Sequence, residues 1–297
     1  MLNGPHILVC TDFTSYSDEA LKAADHLSKI TSGSLSIIHV SEHPVIFDWL
    51  PSEGSPISLD ENVERELLTA LRKKLEAQLK RCGVSAENHI SMGFPANVIM
   101  EEINAKKVDI LVMGHKGKKD SSFRIGSLAE KLIASSPIPV MVIKASFQLK
   151  KVGALIDPNG DMERILSWAE VLSIAFSSRL EVISLFPDIA SRFIGIGKMG
   201  FSTELLSLNR EQGEEVIHQV KERIRSHLRK VKDAELKVEI SNEKKLAYHL
   251  NTLLQAEKVD LAVMRRHQAG FLEKILIGSE TRRMLEIFEG NLFIIPP

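Results

Sequence analysis

The chain is short of cysteine, of net charge and of long apolar runs, and each shortage excludes a class of protein. Its two cysteines, Cys10 and Cys82, lack CxxC spacing, so neither a disulfide framework nor a thiolate zinc site is expected. Lysine and arginine (38) nearly balance aspartate and glutamate (39), which argues against nucleic acid as a partner. No apolar run approaches the roughly 20 residues that span a bilayer, so no membrane partner is expected.

Signals for export, metal binding and rapid catalysis are lacking as well. Residues 1–5 do not show the basic-then-apolar pattern of a signal peptide, so we expect a cytoplasmic protein. The ten histidines are scattered along the chain, and we expect no metal site. The sequence has neither a GxxxxGK[ST] loop nor a kinase catalytic motif, so we predict no catalytic residues and at most slow hydrolysis of a nucleotide.

What is present is an internal repeat. The length of 297 residues, with 44% hydrophobic and 26% charged residues, suits two folded domains. Segment 107–113 is identical to segment 258–264 at five of seven positions, and strand-like segments that end in aspartate, 6–12 and 152–157, open the two halves. We predict a gene duplication with domains 1–146 and 151–297.

Within the first half, strand-like and helix-like runs alternate, which is typical of a parallel α/β sheet. The predicted strands are 6–11, 34–40, 86–91, 108–113 and 139–144, and the predicted helices are 17–31, 61–82, 95–106 and 126–135. Right-handed crossovers give a doubly wound sheet, whose ligands bind beyond the carboxyl ends of the strands where the winding reverses. The sequence therefore predicts where a site lies before its ligand is known.

Glycines bracket the loop after the fourth predicted strand. Gly114 and Gly117 precede a polar stretch, and Gly126 with Ser127 opens the next helix. A phosphate approaches a backbone closely only where no Cβ intervenes, and a helix start offers unpaired N–H groups. The same glycines could serve turn geometry alone, and Ser127 could simply cap its helix. From the residues alone, both interpretations stay open.

Asp12 stands at the carboxyl end of the first predicted strand. Its carboxylate could cap the following helix, or it could bind ribose hydroxyls or a metal-phosphate group. If the first and fourth strands are neighbours, Asp12 and the glycine loop face one crevice. The loop is locally basic, which suits a polyphosphate; its cations are Lys116, Lys118, Lys119 and Arg124.

With the strand end Ile37–Val40, the turn Gly93–Pro95 and the glycine spacing just described, the first half resembles the universal stress protein family in its ATP-binding branch. The resemblance implies a five-stranded parallel sheet in the order 3-2-1-4-5, of the adenine nucleotide alpha hydrolase type. It also implies that ATP with Mg binds the first domain. Eight residues separate Gly117 from Gly126, one fewer than the family's usual spacing.

The resemblance assigns a role to each site residue. It implies that Asp12 contacts the ribose, that the backbone of Val40 contacts the adenine, and that the phosphates are held by the glycine loop. The implied phosphate contacts are Gly114, Gly117, Gly126 and Ser127. Family dimers form through the last strand, so we expect segments 140–143 and 292–295 to pair within one chain about an internal pseudo-twofold axis.

The second half departs from the family at this loop. Arg265 and Gln268 occupy the positions of the first two glycines, so we predict that it does not bind ATP in the usual pose. Asp157 is predicted to cap the helix that follows it, although the turn signal Pro158–Gly160 is not a helix start, so its role stays open. The long connections Glu42–Ser58 and Phe186–Leu208, the latter with Gly195–Gly200, are predicted to cover the open ends of their sheets.

Three functions remain in view. The first is a cytosolic stress-response regulator that binds ATP through its first half. Its protein partners are not identified by the sequence, and two chains could form a homodimer. The second is a tandem scaffold for protein interaction that binds no nucleotide. The third is a binder of another small molecule through the second half.

Overall fold

The structure, a computed structural model, describes residues 4–42, 61–115, 127–157, 160–187, 210–241, 246–266 and 279–297. These residues fall into two compact units, and the chain passes from the first to the second between Ile143 and Lys144. The domain bounds 1–146 and 151–297 stay a prediction, as does the twofold axis.

The first unit is a parallel sheet with helices between its strands. Its elements are β1 (His6–Cys10), α1 (Ser15–Thr31), β2 (Ser34–Ser41), α2 (Glu61–Cys82), β3 (Glu87–Met92), α3 (Pro95–Ala105), β4 (Ile110–Gly114), α4 (Ser127–Ser135) and β5 (Val140–Ile143). The strands are parallel and lie in the order β3-β2-β1-β4-β5. This confirms the predicted strand order, and each predicted element lies within a few residues of its observed bounds.

The core of this unit explains its apolar runs. The central strands β1 and β4 carry consecutive side chains that are almost wholly buried, as expected where helices cover both faces of a parallel sheet. One face of α2 carries a leucine stripe, which is buried at Leu75 and Leu79; its other members are Leu67, Leu68 and Leu71. None of the described helices is long and apolar enough to cross a membrane.

The second unit repeats this topology. Its elements are β6 (Lys151–Ile156), α5 (Met162–Ala175), β7 (Arg179–Pro187), α6 (Arg210–His227), β8 (Glu235–Ser241), α7 (Leu246–Ala256), β9 (Leu261–Arg265), α8 (Ser279–Ile287) and β10 (Asn291–Ile295). The parallel order is β8-β7-β6-β9-β10. The prediction of two α/β halves with one strand order is confirmed.

The most similar pair of segments, 107–113 and 258–264, has a structural cause. Lys107 and Lys258 follow a helix with φ values of 51° and 55°, the left-handed conformation that reverses the chain. The carboxylates of Asp109 and Asp260 accept backbone hydrogen bonds of 2.8 and 2.9 Å from the first residues of β1 and β6. The repeated residues therefore join a helix to the sheet, and no ligand is needed to explain them.

Candidate functional site

The candidate site lies at the carboxyl ends of β1 and β4. Strand β1 pairs with β2 on one side and with β4 on the other, so the winding of the sheet reverses between β1 and β4. Crevices at such switch points are the usual ligand sites of open α/β sheets. Cys10 pairs with Met113, so Asp12 and Gly114 follow paired residues at the same edge. The structure thus brings these two predicted site residues together.

Asp12 is exposed, and it does not cap α1 itself. The N-cap is Thr14, whose side chain accepts a hydrogen bond of 3.4 Å from the backbone N–H of Ser17. Asp12 Oδ1 accepts hydrogen bonds from Thr14 N (3.1 Å) and Thr14 Oγ1 (2.6 Å). Among the residues that the structure describes, none donates to Asp12 Oδ2, so this oxygen remains as an acceptor for a ligand.

The residue after Asp12 holds the loop in an uncommon conformation. Phe13 has a φ of 65°, a left-handed value that is unfavourable for a residue with a side chain. Its N–H donates to Thr11 Oγ1 at 3.1 Å, and its ring centroid lies 4.3 Å from that of His39. The ammonium of Lys74 lies 4.5 Å from the Phe13 ring centroid, within the range of a cation–π contact. These contacts compensate the backbone strain.

His39 stands beneath this loop as a neutral imidazole. Burial lowers its pKa from the ordinary value of 6.5, and the charge of Lys74 also lowers it, against the raising influence of the Thr11 carbonyl and Asp12. Because the Thr11 carbonyl can only accept, the 2.8 Å bond to His39 Nδ1 places the proton on that nitrogen. His39 Nε2 is therefore an acceptor at neutral pH.

Val40 extends past the end of β1. The carbonyl of Ile38 accepts a hydrogen bond of 3.0 Å from Thr11 N, so the peptide groups of Ile38 face β1. Alternation along a strand turns the peptide groups of Val40 to the same side. They lie beyond the last pair between β1 and β2, which joins Cys10 to Ile38. The backbone of Val40 thus adjoins the loop that carries Asp12.

Gly114 has a structural role that the sequence did not reveal. A Cβ at this position would lie 2.6 Å from the backbone carbon of Tyr16 and 2.7 Å from Ser17 N, far closer than real Cβ contacts. The first turn of α1 therefore requires glycine here, whatever binds nearby. Gly117 and Gly126 lie outside the described residues, and Ser127 begins α4.

The second unit differs at the corresponding edge. Arg265 ends β9 as Gly114 ends β4, whereas Gln268 lies outside the described residues. The prediction that Asp157 caps α5 is wrong, because the N-cap is Asp161, whose side chain accepts from Arg164 N at 3.3 Å. The Asp157 carbonyl instead accepts from Gly160 N at 2.9 Å and closes a turn.

Apart from Glu42, Phe186 and Pro187, the predicted covering segments, with Gly195–Gly200, lie outside the described residues.

A cluster of carboxylates in the second unit already contains a cation. Glu181, Glu235 and Glu257 bring oxygens within 4.8 Å of one another, a spacing that a metal ion could use. The ammonium of Lys151 lies 2.9, 3.7 and 3.7 Å from these three carboxylates. Lys237 Nζ lies 2.8 Å from Glu257 as well, so two lysines account for the geometry of the cluster without a metal.

Sequence reasoning missed Gln78, which lies beside the Asp12 loop. It is only 1% exposed although its side chain is polar, and it sits within the leucine stripe of α2 between Leu75 and Leu79. A glutamine at a core position of an amphipathic helix is the signal that could have revealed it, because buried amides require partners.

Comparison with known proteins agrees with this fold. The profile of the universal stress protein family matches residues 5–144. The chain is 34% identical over 139 residues to a universal stress protein of Methanocaldococcus jannaschii, which covers 46% of this chain and 81% of that protein. It is 30% identical over 146 residues to the universal stress protein YxiE of Bacillus subtilis, covering 46% of this chain and 97% of that one. The chain belongs to the universal stress protein family.

The likeness of this universal stress protein to solved structures extends over both units. A universal stress protein from Archaeoglobus fulgidus superposes with a TM-score of 0.68 at 14% identity, with 98% of each chain covered. A functionally unknown protein from Pseudomonas aeruginosa PAO1 gives a TM-score of 0.69 at 15% identity, covering 100% of this chain and 94% of that one. At such identities the comparison concerns the fold alone, and it supports a tandem arrangement of universal stress protein folds.

Proposed function

We propose that the first unit binds ATP with Mg²⁺ at the carboxyl edge of β1 and β4, and that the protein is a cytosolic regulator of the stress response. The observation that carries the proposal is Asp12: an exposed carboxylate at the switch point, with its Oδ2 available to a ligand. The family of the chain supports a nucleotide as that ligand.

The proposed contacts follow from the chemistry of each group. Asp12 Oδ2 accepts hydrogen bonds from ribose hydroxyls, and the backbone of Val40 contacts the edge of the adenine. The phosphates lie against the loop from Gly114 through Gly117 and Gly126 to Ser127. There the first turn of α4 supplies unpaired N–H groups and a favourable dipole. Bound Mg²⁺ would neutralise part of the phosphate charge.

The proposed output is regulatory and not catalytic. Among the described residues of the site, none is proposed to transfer a proton, so hydrolysis of ATP would be slow at most. Occupancy would act by changing the surface offered to protein partners. The second unit would serve a structural or regulatory role, because Arg265 carries a long side chain where the first unit has glycine.

A scaffold that binds no nucleotide is the second candidate, because Gly114 can be explained without a nucleotide. The backbone of α1 accounts for Gly114 with no ligand present, so this glycine does not discriminate between the two functions. The decisive residue for a test is therefore Asp12.

Calorimetric titration of ATP with Mg²⁺ tests the proposal on three proteins. We expect one ATP per wild-type chain and at least about a tenfold weaker affinity in Asp12→Asn, because a charged hydrogen bond is worth about 1.5–3 kcal/mol. Asp157→Asn, which makes the same change in the second unit, should bind like the wild type. Absence of binding by the wild-type chain would refute the ATP site and favour the scaffold. Equal affinities of the wild type and Asp12→Asn would refute the proposed contact between Asp12 and the ribose.

A further inference from the structure

We propose that Gln78 is a positioning residue that couples the Asp12 loop to α2, so that ligand binding and the docking of α2 reinforce each other. The ligand part of this inference rests on the proposed function. The positioning part concerns the protein without ligand, and it can be tested separately.

The amide of Gln78 is buried, and both its oxygen and its nitrogen form hydrogen bonds. Its Oε1 accepts a hydrogen bond of 2.7 Å from Thr11 Oγ1. Its Nε2 donates to Ser17 Oγ at 3.1 Å and to Asp18 Oδ1 at 2.7 Å. The side chain therefore ties α2 to the end of β1 and to the first turn of α1. A buried amide with all these partners is costly to displace, because each broken bond leaves a polar group without water.

The contact with Thr11 reaches Asp12 through one intermediate residue. The Thr11 hydroxyl has a single hydrogen and two recorded acceptors, Gln78 Oε1 at 2.7 Å and Ser17 Oγ at 3.1 Å. The shorter contact directs the hydrogen to Gln78. The oxygen is then turned to accept from Phe13 N at 3.1 Å. Phe13 is the left-handed residue that follows Asp12 directly. Gln78 thus fixes the backbone on the far side of Asp12 from β1.

Two other residues on the same side of α2 reach the same region. Lys74, four residues before Gln78, places its ammonium 4.5 Å from the centroid of the Phe13 ring. Arg81, three residues after it, contacts both carboxylate oxygens of Asp18 at 2.8 Å. Residues at these spacings lie on one helix face. Successive turns of α2 therefore contact the loop and the start of α1.

Coupling of this kind acts in both directions. A ligand that holds Asp12 in place would stabilise the contacts of α2, and a protein partner that holds α2 would raise the affinity for the ligand by the same factor. In the described part of α2, the residues that face away from the core are largely charged and exposed, and they include Arg72, Lys73 and Glu76. Helix α2 is thus the element through which occupancy of the site would reach the surface.

The test compares Gln78→Met with a control in the second unit, Asn291→Leu. Both replace a buried amide by an apolar side chain of similar size. Asn291 Oδ1 accepts from the backbone of Lys144 and Ala145 at 2.9 and 3.0 Å and has no contact with the Asp12 loop. We expect Gln78→Met to weaken ATP binding about tenfold, since about 1.4 kcal/mol corresponds to a factor of ten, whereas Asn291→Leu should leave it within twofold.

Two further readouts separate positioning from loss of stability. Without ligand, the NMR signals of the Phe13 amide and the His39 imidazole should shift in Gln78→Met and stay unchanged in Asn291→Leu. With ATP, hydrogen exchange of the α2 amides should slow in the wild type and in Asn291→Leu, and it should not slow in Gln78→Met.

The outcomes distinguish this inference from the function on which it rests. If the wild-type chain does not bind ATP, the proposed function fails, and the ligand-free NMR signals alone decide the role of Gln78. Unchanged Phe13 and His39 signals in Gln78→Met would overturn the inference. If the wild-type chain binds ATP, the inference would also be overturned by affinities that fall equally in both variants, or by exchange of the α2 amides that does not slow when ATP is bound.

Discussion

The two units share one topology and differ most at the carboxyl edge of their sheets. In the first unit, residues 11–14 connect β1 to α1, and the start of α1 lies against Gly114 at the end of β4. In the second, residues 157–161 make the corresponding connection with one residue more, and Arg265 stands in the place of Gly114. The comparison teaches that the two units have the same strand order, while the connections at their carboxyl edges differ.

The amino edges differ as well, although they fulfil the same structural need. In the first unit His6 Nε2 and Ser36 Oγ are 2.8 Å apart, whereas in the second Lys151 Nζ lies 2.9 Å from the Glu181 carboxylate. Each pair joins the first residue of the central strand to its neighbouring strand. A hydrogen bond between His6 and Ser36 and an ion pair between Lys151 and Glu181 thus connect equivalent strands of the two units.

The largest effect is expected at the charged pair. Lys151→Met would leave the buried Glu181 carboxylate without its closest cation and should cost about 3 kcal/mol of unfolding free energy, near the lower end for a broken buried pair. Ser36→Ala, which removes the hydrogen bond to His6, should cost about 1 kcal/mol of unfolding free energy. Urea unfolding followed by circular dichroism measures both. Costs of the same size would show that the two edges are energetically alike, contrary to this comparison.

A smaller effect is expected where the carboxyl edges differ. Gly114→Ala would force a Cβ against the backbone of α1 and should cost about 2 kcal/mol, the usual range for overpacking. Arg265→Ala, at the matching position, should change stability by no more than about 0.5 kcal/mol, because Arg265 is partly exposed. Thermal and urea unfolding of both variants test this. A Gly114→Ala variant as stable as the wild type would show that α1 shifts easily and that its packing does not require glycine here.

The two units should also differ in how their stability depends on pH. His39 in β2 is titratable, whereas the residue at the corresponding position of β7 is Ser184. Burial lowers the pKa of His39 below its ordinary value of 6.5, so the unfolded chain binds the proton more readily than the folded one. The contribution of the neutral His39 imidazole to the unfolding free energy is therefore fully present above pH 6.5. It is lost as the pH falls from 6.5 towards the pKa of His39 in the folded protein. The second unit has no such contribution from Ser184.

Urea unfolding between pH 8 and pH 5 measures this contribution. The unfolding free energy of the wild type should fall more steeply with decreasing pH than that of His39→Gln, which cannot take up this proton. Parallel curves for the two proteins would show that His39 does not titrate differently in the folded and unfolded states. Ser184→Ala, in the second unit, should retain the slope of the wild type.

Much of the fold could be predicted from the sequence, since hydrophobic periodicity and turn residues are local signals. Helix α2 was predicted over 61–82 and is observed with those bounds, because the spacing of its leucines and of its charged residues is a pattern within one continuous segment. The strand order came from the family resemblance. The helix starts were harder: Thr14 and not Asp12 caps α1, and Asp161 and not Asp157 caps α5. A cap depends on where the backbone leaves the preceding turn, which a sequence pattern does not specify.

The sequence by itself determined the repeat, the alternation of strands and helices, and the placement of Asp12 after the first strand. These follow from residue order and from the periods of helices and strands. Only the tertiary structure decided that Gly114 is required by α1 and that Gln78 in α2 holds the residues around Asp12. Both depend on contacts between segments that are distant in the chain, where a distance of a few tenths of an ångström determines whether a side chain fits or a hydrogen bond forms.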